Sequence, residues 1–279
     1  MKLKRILSLA LATVATSACV ATFSSCETAR PEVEITISFQ GETYELDYVL
    51  YRKIAPATVA HFLALADEGY FNDLCVHDYS DNRLYTGGYK YTATAGAEYG
   101  GLIYQNYYEF VRSREIPTTV FDAVTGAPTY TLYGEFASNS FEVENGNLKE
   151  EYGSLGMFYT LKDAGAVSVN LKHPEAGESN NRDYKYNSAT SLFFISLTST
   201  TKTNSDYCTF AKIDEDSVEE LRDLDESVAE YVENNDAATE RITVDIDKDD
   251  AYFSEHQNKA YYEVLSSPII IKSVEVKKF

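Results

Sequence analysis

The stretch from Pro56 to Gly88 constrains the fold of this chain most, because it predicts a helix, a turn, a strand and a loop in close succession. Pro56 suits the first turn of a helix. Apolar residues then recur at three- and four-residue spacing and define one buried stripe: Val59, Phe62, Leu63 and Ala66. Gly69 suits the left-handed position that ends a helix. A short apolar strand, 74–77, follows, and Gly87-Gly88 closes the segment with backbone that glycine adopts most freely.

Four short sequence motifs follow this segment later in the chain: Tyr133-Gly134-Glu135-Phe136, Tyr152–Met157, Ser191–Ile195 and Thr209–Lys212. Together with the Cys75-Val76-His77 strand and the Gly87-Gly88 pair, they resemble the cyclophilin family of peptidyl-prolyl isomerases, in the family's own order. The resemblance covers most of residues 33–232, in pieces separated by insertions. It implies a mainly β fold, a closed eight-stranded antiparallel β-barrel capped by two α-helices.

The resemblance also suggests how the chain is divided. Residues 33–279 are assigned to one cyclophilin-like domain, with a C-terminal extension from about 234 to 279. The segments at about 89–131 and about 161–187 are insertions relative to the family. Both lie in sequence beside residues of the peptide groove, so they are either lids over that groove or ordinary surface loops.

Several residue patterns support this fold independently. Apolar residues alternate with polar ones in a first strand, as in a half-buried strand: Val33, Ile35, Ile37 and Phe39. Ser217 and Glu220 have the spacing of a capping box at the start of a late helix. The apolar face of that helix is Val218, Leu221, Leu224, Val228, Tyr231 and Val232. Residues 268–276 suit a final strand that returns to the barrel.

The N-terminus has the pattern of a secretory signal, with basic residues at positions 2, 4 and 5 ahead of an apolar stretch that ends near Thr22. The run Phe23-Ser24-Ser25-Cys26 resembles the lipobox of bacterial lipoproteins. We therefore expect residues 1–25 to be removed, Cys26 to carry lipid, and residues 26–32 to form a tether on the outer face of a bacterial membrane, in the cell envelope. Cleavage at Cys19, or a plain signal peptide, is the alternative.

The charge of the chain restricts its partners. A formal net charge of −20 repels phosphate-rich ligands, so we expect no nucleic acid partner. The histidines lack the spacing of metal ligands, and the acidic run Asp245–Asp250 lacks the glycine and glutamate positions of a calcium loop. The sequence therefore predicts no metal and no cofactor. By resemblance, the partner is a proline-containing peptide or an exported protein.

The chemistry that the resemblance implies depends on one cation. Rotation about an X–Pro bond is slow because amide resonance imposes a barrier of roughly 20 kcal/mol. A cationic donor aimed at the prolyl nitrogen stabilises the twisted amide. In cyclophilins that donor is the arginine after the strand histidine, but here the position is Asp78, whose carboxylate only accepts hydrogen bonds. Arg83 is the candidate substitute donor. The alternative is that Arg83 forms an ion pair with Asp78, which neutralises the Arg83 charge.

Most other groove positions also differ from the family. The residues that match groove positions are Asp78, Arg83, Leu84, Thr86, Phe158, Leu192, Phe194 and Tyr207. Phe194 keeps the family's phenylalanine at the floor of the proline pocket, and Phe158 narrows the subsite beside it. We therefore expect an extracytoplasmic cyclophilin-type isomerase or foldase-like protein whose activity is weak or lost. The alternatives are a non-catalytic surface lipoprotein that binds peptide, protein or glycan, and a structural lipoprotein whose insertions close the groove.

Overall fold

The structure is a computed structural model that describes residues 28–94, 98–136, 148–158, 167–171, 181–184, 190–198, 202–203, 207–245 and 259–279. The predicted signal peptide and Cys26 lie outside these residues. The helices are α1 (Pro56–Asp67), α2 (Tyr107–Ser113) and α3 (Val218–Asn234). The strands are β1 (Glu32–Phe39), β2 (Glu42–Leu50), β3 (Leu74–Cys75), β4 (Asp78–Ser80), β5 (Arg83–Thr86), β6 (Tyr89–Tyr91), β7 (Leu102–Tyr104), β8 (Phe121–Asp122), β9 (Lys149–Glu150), β10 (Leu155–Met157), β11 (Val167–Asn170), β12 (Asn181–Tyr184), β13 (Phe193–Ser196), β14 (Lys202–Thr203), β15 (Cys208–Ile213), β16 (Thr239–Asp245), β17 (Lys259–Leu265) and β18 (Ile270–Lys278).

The main sheet has eleven strands in the order β4-β5-β13-β10-β15-β2-β1-β18-β3-β6-β7. The fold is mainly β, as expected, and the sheet curls into a half-barrel. The closed eight-stranded barrel is not confirmed, because no pairing between described residues joins the two end strands, β4 and β7. The described residues also form three α-helices rather than two. Within this part of the chain, no helix is long and apolar enough to span a membrane.

The first hairpin forms the centre of the sheet. In β1 the side chains of Val33, Ile35 and Ile37 are fully buried, and polar residues between them face outward, as the alternation predicts. The strand pairs on both sides: Ile35 lies opposite Leu46 of β2 and Val274 of β18. The predicted return of the last strand to the sheet is therefore confirmed.

Helix α1 buries its predicted apolar stripe, and it packs against the main sheet. The ring of Phe62 lies 4.9 Å from that of Phe71 and 5.3 Å from that of Phe193, measured between centroids. Glu135 binds the N-terminus of the helix, because its two carboxylate oxygens accept hydrogen bonds from the backbone N–H groups of Ala57 at 2.9 Å and Thr58 at 2.8 Å. A glutamate far along the chain thus caps the helix.

Helix α3 buries Leu221, Leu224 and Val228 against the sheet, as its apolar face predicts. The prediction of a capping box at the start of α3 is wrong. Ser217 makes no side-chain bond to its own helix; its hydroxyl instead accepts a hydrogen bond from the backbone N–H of Asp47 at 3.0 Å, and so joins α3 to β2.

The described parts of the two insertions belong to the folded body. In the first insertion, α2 packs against α1, with the Tyr107 ring 5.9 Å from that of His61 and 6.0 Å from that of Tyr70. Strand β8 of this insertion pairs with β11 of the second, where Val169 lies opposite Asp122. Helix α2 of the first insertion is thus part of the core, where it buries Tyr107, Tyr108 and Val111. Whether other parts of the insertions act as lids stays a prediction for residues outside the described ranges.

Candidate functional site

The predicted groove residues lie on neighbouring strands. Phe194 on β13 is opposite Tyr85 on β5 and Gly156 on β10. The chain continues from β10 into Phe158, whose backbone N–H donates to the Leu192 carbonyl at 2.9 Å. Tyr207 directly precedes β15, the next strand of the sheet. The topology therefore gathers residues that are far apart in sequence around Phe194.

The guanidinium of Arg83 lies in the predicted proline pocket. Its Cζ is 4.4 Å from the centroid of the Phe194 ring and 5.0 Å from that of Tyr207. These distances are typical of cation–π contacts. The side chain of Arg83 is 15% exposed, and Phe194 beneath it is fully buried. In this conformation a prolyl ring has no access to the face of Phe194 that Arg83 covers.

Glu150 on β9 holds the guanidinium in this position. Arg83 Nε donates to Glu150 Oε1 at 2.8 Å, and Nη2 donates to Oε2 at 2.7 Å. This is the bidentate geometry of the strongest arginine–carboxylate pairs. The Glu150 side chain is only 4% exposed, and the hydroxyl of Ser196 donates to its Oε1 at 3.1 Å. The sequence does not mark Glu150 as a site residue, because a single glutamate in an acidic chain carries no motif.

Aromatic rings complete the surroundings of Arg83. Tyr85 lies 5.6 Å from Phe194 and 5.5 Å from Phe158, between ring centroids. Phe158 and Tyr207 are stacked at 6.1 Å. Nη1 of Arg83 donates to the Tyr85 hydroxyl at 3.1 Å. The pocket is thus occupied by the protein's own cation and lined by its own rings.

The pKa values in the pocket follow from burial and this pairing. Burial raises the pKa of Tyr85 to about 12, against the opposing effect of its hydrogen bond with Arg83. For Arg83, burial acts to lower the pKa, but the hydrogen bonds to Glu150 and Tyr85 outweigh it and the pKa is raised. Arg83 therefore remains a full cation in the closed pocket.

Asp78 forms its hydrogen bonds with residues other than Arg83. Its Oδ1 accepts a hydrogen bond from the backbone N–H of Glu263 at 2.9 Å, and its Oδ2 accepts one from the Ser80 hydroxyl at 3.0 Å. Burial raises the pKa of Asp78, and these hydrogen bonds partly offset the rise. The alternative prediction, an ion pair between Asp78 and Arg83, is wrong, because Arg83 pairs with Glu150. Asp78 instead ties the C-terminal hairpin β16–β17 to β4.

Two other predicted groove residues point into the interior. Leu84 is buried in the main core. Thr86 is fully buried, and its hydroxyl donates to the Cys75 carbonyl at 2.8 Å. Neither side chain is available to a ligand in this conformation.

A separate cleft lies outside the groove. It has a volume of about 340 Å³ and is formed by the β4–β5 turn, α3 and the C-terminal hairpin. Its lining includes Tyr79, Asp81, Leu197, Asp225, Val232 and Glu263, and none of its lining residues is one of the predicted groove residues.

Comparison with known proteins agrees with the pattern of motifs. The family model described as cyclophilin type peptidyl-prolyl cis-trans isomerase/CLD matches residues 33–247. Among solved structures, a cyclophilin type peptidyl-prolyl cis-trans isomerase of Cryptosporidium parvum is 18% identical, with 90% of this chain and 99% of that chain covered and a TM-score of 0.43. A structure of that protein in the presence of the dipeptide Ala-Pro is 19% identical, with 89% and 99% covered and a TM-score of 0.41. No curated protein sequence matches the chain.

Proposed function

The chain belongs to the family of cyclophilin-type peptidyl-prolyl cis-trans isomerases, and on that premise we propose that it is an exported, foldase-like member whose isomerase activity is weak or lost. The observation that carries this proposal is the position of the Arg83 guanidinium, 4.4 Å above a fully buried Phe194. A prolyl ring that is to bind on Phe194 must first displace a paired cation, which costs the binding energy that catalysis needs.

The chemistry at Asp78 supports the same conclusion. The twisted amide of the transition state is stabilised by a donor at the prolyl nitrogen, and a carboxylate cannot supply one. The Asp78 carboxylate is also engaged with Glu263 and Ser80. The only cation near the pocket among the described groove residues is Arg83, and Glu150 neutralises it.

The substrate class that we propose is a proline-containing segment of an exported protein. The export and the anchor rest on the N-terminal sequence, in which a basic and apolar signal is followed by Phe23-Ser24-Ser25-Cys26. Mass spectrometry of the protein purified from bacterial membranes tests this part. We expect an N-terminal peptide that begins at a diacylglyceryl Cys26; a peptide cut elsewhere, or without lipid, contradicts it. A Cys26→Ser variant should leave the membrane fraction.

A second candidate function is a non-catalytic binding protein for peptide, protein or glycan on the same scaffold. The observation that favours it is the separate cleft of about 340 Å³, which stays open while the proline pocket is filled. A ligand that binds this protein with equal affinity in the presence and absence of the Arg83→Ala change would support this candidate, because Arg83 is not among the residues that line the cleft.

The isomerisation rate of a proline tetrapeptide, measured with the full chain in mild detergent, tests the first proposal. We expect a rate close to the uncatalysed one, beside an active cyclophilin as the positive control. A wild-type rate more than about a hundredfold above background would overturn the proposal, since general catalytic groups alone contribute effects of that size. The same assay on Asp78→Arg tests whether an arginine at residue 78 is enough for activity. We expect no increase in the isomerisation rate, because Arg83 still fills the pocket.

A further inference from the structure

We propose that Glu150 is a positioning residue that keeps the proline pocket closed, and that Arg83, once released from it, is the cationic donor for prolyl isomerisation. The inference rests on the proposed function, because it assigns the regulation of the same groove. Its basis is the bidentate pair between Arg83 and Glu150 at 2.8 and 2.7 Å.

Among the contacts of Arg83, those with Glu150 fix its orientation. The faces of Phe194 and Tyr207 attract the cation at 4.4 and 5.0 Å, but a ring face does not specify how a guanidinium is rotated. Two parallel N–H···O bonds do specify it, because the planar fork of arginine matches the two oxygens of one carboxylate. Loss of the carboxylate leaves Arg83 with one neutral hydrogen bond, to the Tyr85 hydroxyl, and the two ring contacts among the described residues, so the side chain can leave the pocket.

The fold keeps Glu150 in place from several strands. Its strand, β9, pairs with β14, where Glu150 lies opposite Lys202. The hydroxyl of Ser196 on β13 donates to Glu150 at 3.1 Å, and Ser196 is also the register partner of Arg83 on β5. The carboxylate is nearly inaccessible to water, so its charge requires a paired cation. Arg83 meets that requirement, which makes the closed state self-consistent.

Release of Arg83 has two separable consequences. The first is steric, since the face of Phe194 becomes accessible to a prolyl ring. The second is chemical, since a guanidinium without a partner at the edge of the pocket can donate to the prolyl nitrogen as it becomes pyramidal. A variant that removes the Glu150 charge has both consequences. A variant that removes the Arg83 side chain has only the first.

Four variants of the full chain in mild detergent separate these consequences. They are Glu150→Gln, Glu150→Asp, Arg83→Ala and Glu151→Gln. Glu150→Gln keeps the size of the side chain without its charge, and Glu150→Asp keeps the charge. Glu151→Gln is the matched control, because it removes the neighbouring carboxylate, which pairs with Lys212 instead of Arg83. Circular dichroism and thermal melting establish that each variant is folded.

The readouts are the affinity for a proline tetrapeptide, by NMR titration, and its isomerisation rate. We expect Glu150→Gln to bind the tetrapeptide at least about tenfold more tightly than wild type and to increase the isomerisation rate at least about tenfold. Arg83→Ala should also bind the tetrapeptide more tightly than wild type, but it should not increase the isomerisation rate. Glu151→Gln should behave as wild type, and Glu150→Asp, which keeps the charge on a shorter side chain, should lie between wild type and Glu150→Gln.

Other outcomes contradict the inference. If Glu150→Gln and Arg83→Ala both leave affinity unchanged while the wild type is inactive, the pair does not close the pocket, and the low activity then rests on Asp78 alone. If Arg83→Ala gains as much rate as Glu150→Gln, Arg83 is not the donor. If the wild type is already active, the proposed function fails first. Should Glu150→Gln not fold, Arg83→Lys replaces it, since a lysine makes no bidentate pair, and it should increase affinity in the same way.

Discussion

Gly156 and Phe194 face each other across β10 and β13, and a Cβ atom on Gly156 would come within 2.1 Å of the Phe194 ring. Phe194 thus lies on a glycine on one side and under the Arg83 guanidinium on another. The depth of the ring in the pocket therefore depends on the absence of a side chain at residue 156.

We predict that Gly156→Ala destabilises the protein by roughly 1–3 kcal/mol, because the added methyl group overlaps the Phe194 ring and forces it to move. Urea denaturation measures this loss. Gly41→Ala is the control: a Cβ there meets no atom within 4 Å, although its φ of +92° is unfavourable for alanine. A loss for Gly156→Ala no larger than for Gly41→Ala would contradict the prediction.

Glu135 provides a stability prediction of a different kind. Glu135→Ala leaves the backbone N–H groups of Ala57 and Thr58 without their acceptor at the start of α1. We expect a loss of about 2–3 kcal/mol in the free energy of unfolding. Glu135→Gln should lose less, since it keeps one acceptor oxygen and since burial already raises the pKa of Glu135 by disfavouring its charge. Equal losses for both variants would argue against the cap.

The buried histidines predict sensitivity to acid. Burial lowers the pKa of His61 to about 4 and that of His77 to about 3, from an ordinary value of 6.5. Between pH 6.5 and these values the unfolded chain therefore binds more protons than the folded chain, so stability falls as the pH drops through that window. Burial raises the pKa of Asp78 and Glu135, which opposes part of this loss.

His77→Phe isolates one histidine. Phenylalanine preserves the ring contacts with Tyr89 at 4.9 Å and Tyr262 at 4.8 Å, and it removes a buried Nδ1 atom that has no hydrogen-bond partner among the described residues. We expect the free energy of unfolding of the variant, relative to that of wild type, to be about 2 kcal/mol higher at pH 5 than at pH 7. Urea denaturation at the two pH values measures it. A difference that does not change with pH would contradict the pKa assignment.

We predict that the thiols of the two cysteines among the described residues are unreactive in the folded protein. Cys75 and Cys208 are both free and buried, so they do not form the disulfide that export would allow. Burial raises the pKa of Cys75 to about 12 and raises that of Cys208 as well. We expect neither to react with iodoacetamide at pH 8 until urea unfolds the protein. Peptide mapping identifies the site, and labelling of either thiol in the native protein would contradict this.

Local patterns in the chain predicted its local structure. The alternation in β1 and the apolar stripes of α1 and α3 recur in the described elements. Such patterns succeed because burial of one face is a property of a strand or helix whatever its neighbour is. The eight-stranded barrel is not confirmed, for the opposite reason. Nothing in the sequence of β6 and β7, which lie in the first insertion, indicates that they extend the edge of the main sheet.

The site divides in the same way. The sequence by itself determined the family, and it predicts that Phe194 forms the pocket floor and that Asp78 replaces the expected arginine, since these depend on residue identity at motif positions. Only the tertiary structure decided that Arg83 occupies the pocket and that Glu150, 67 residues away, holds it there. Any carboxylate in an acidic chain is a possible partner for an arginine, and only the folded packing of β5, β9 and β13 selects one.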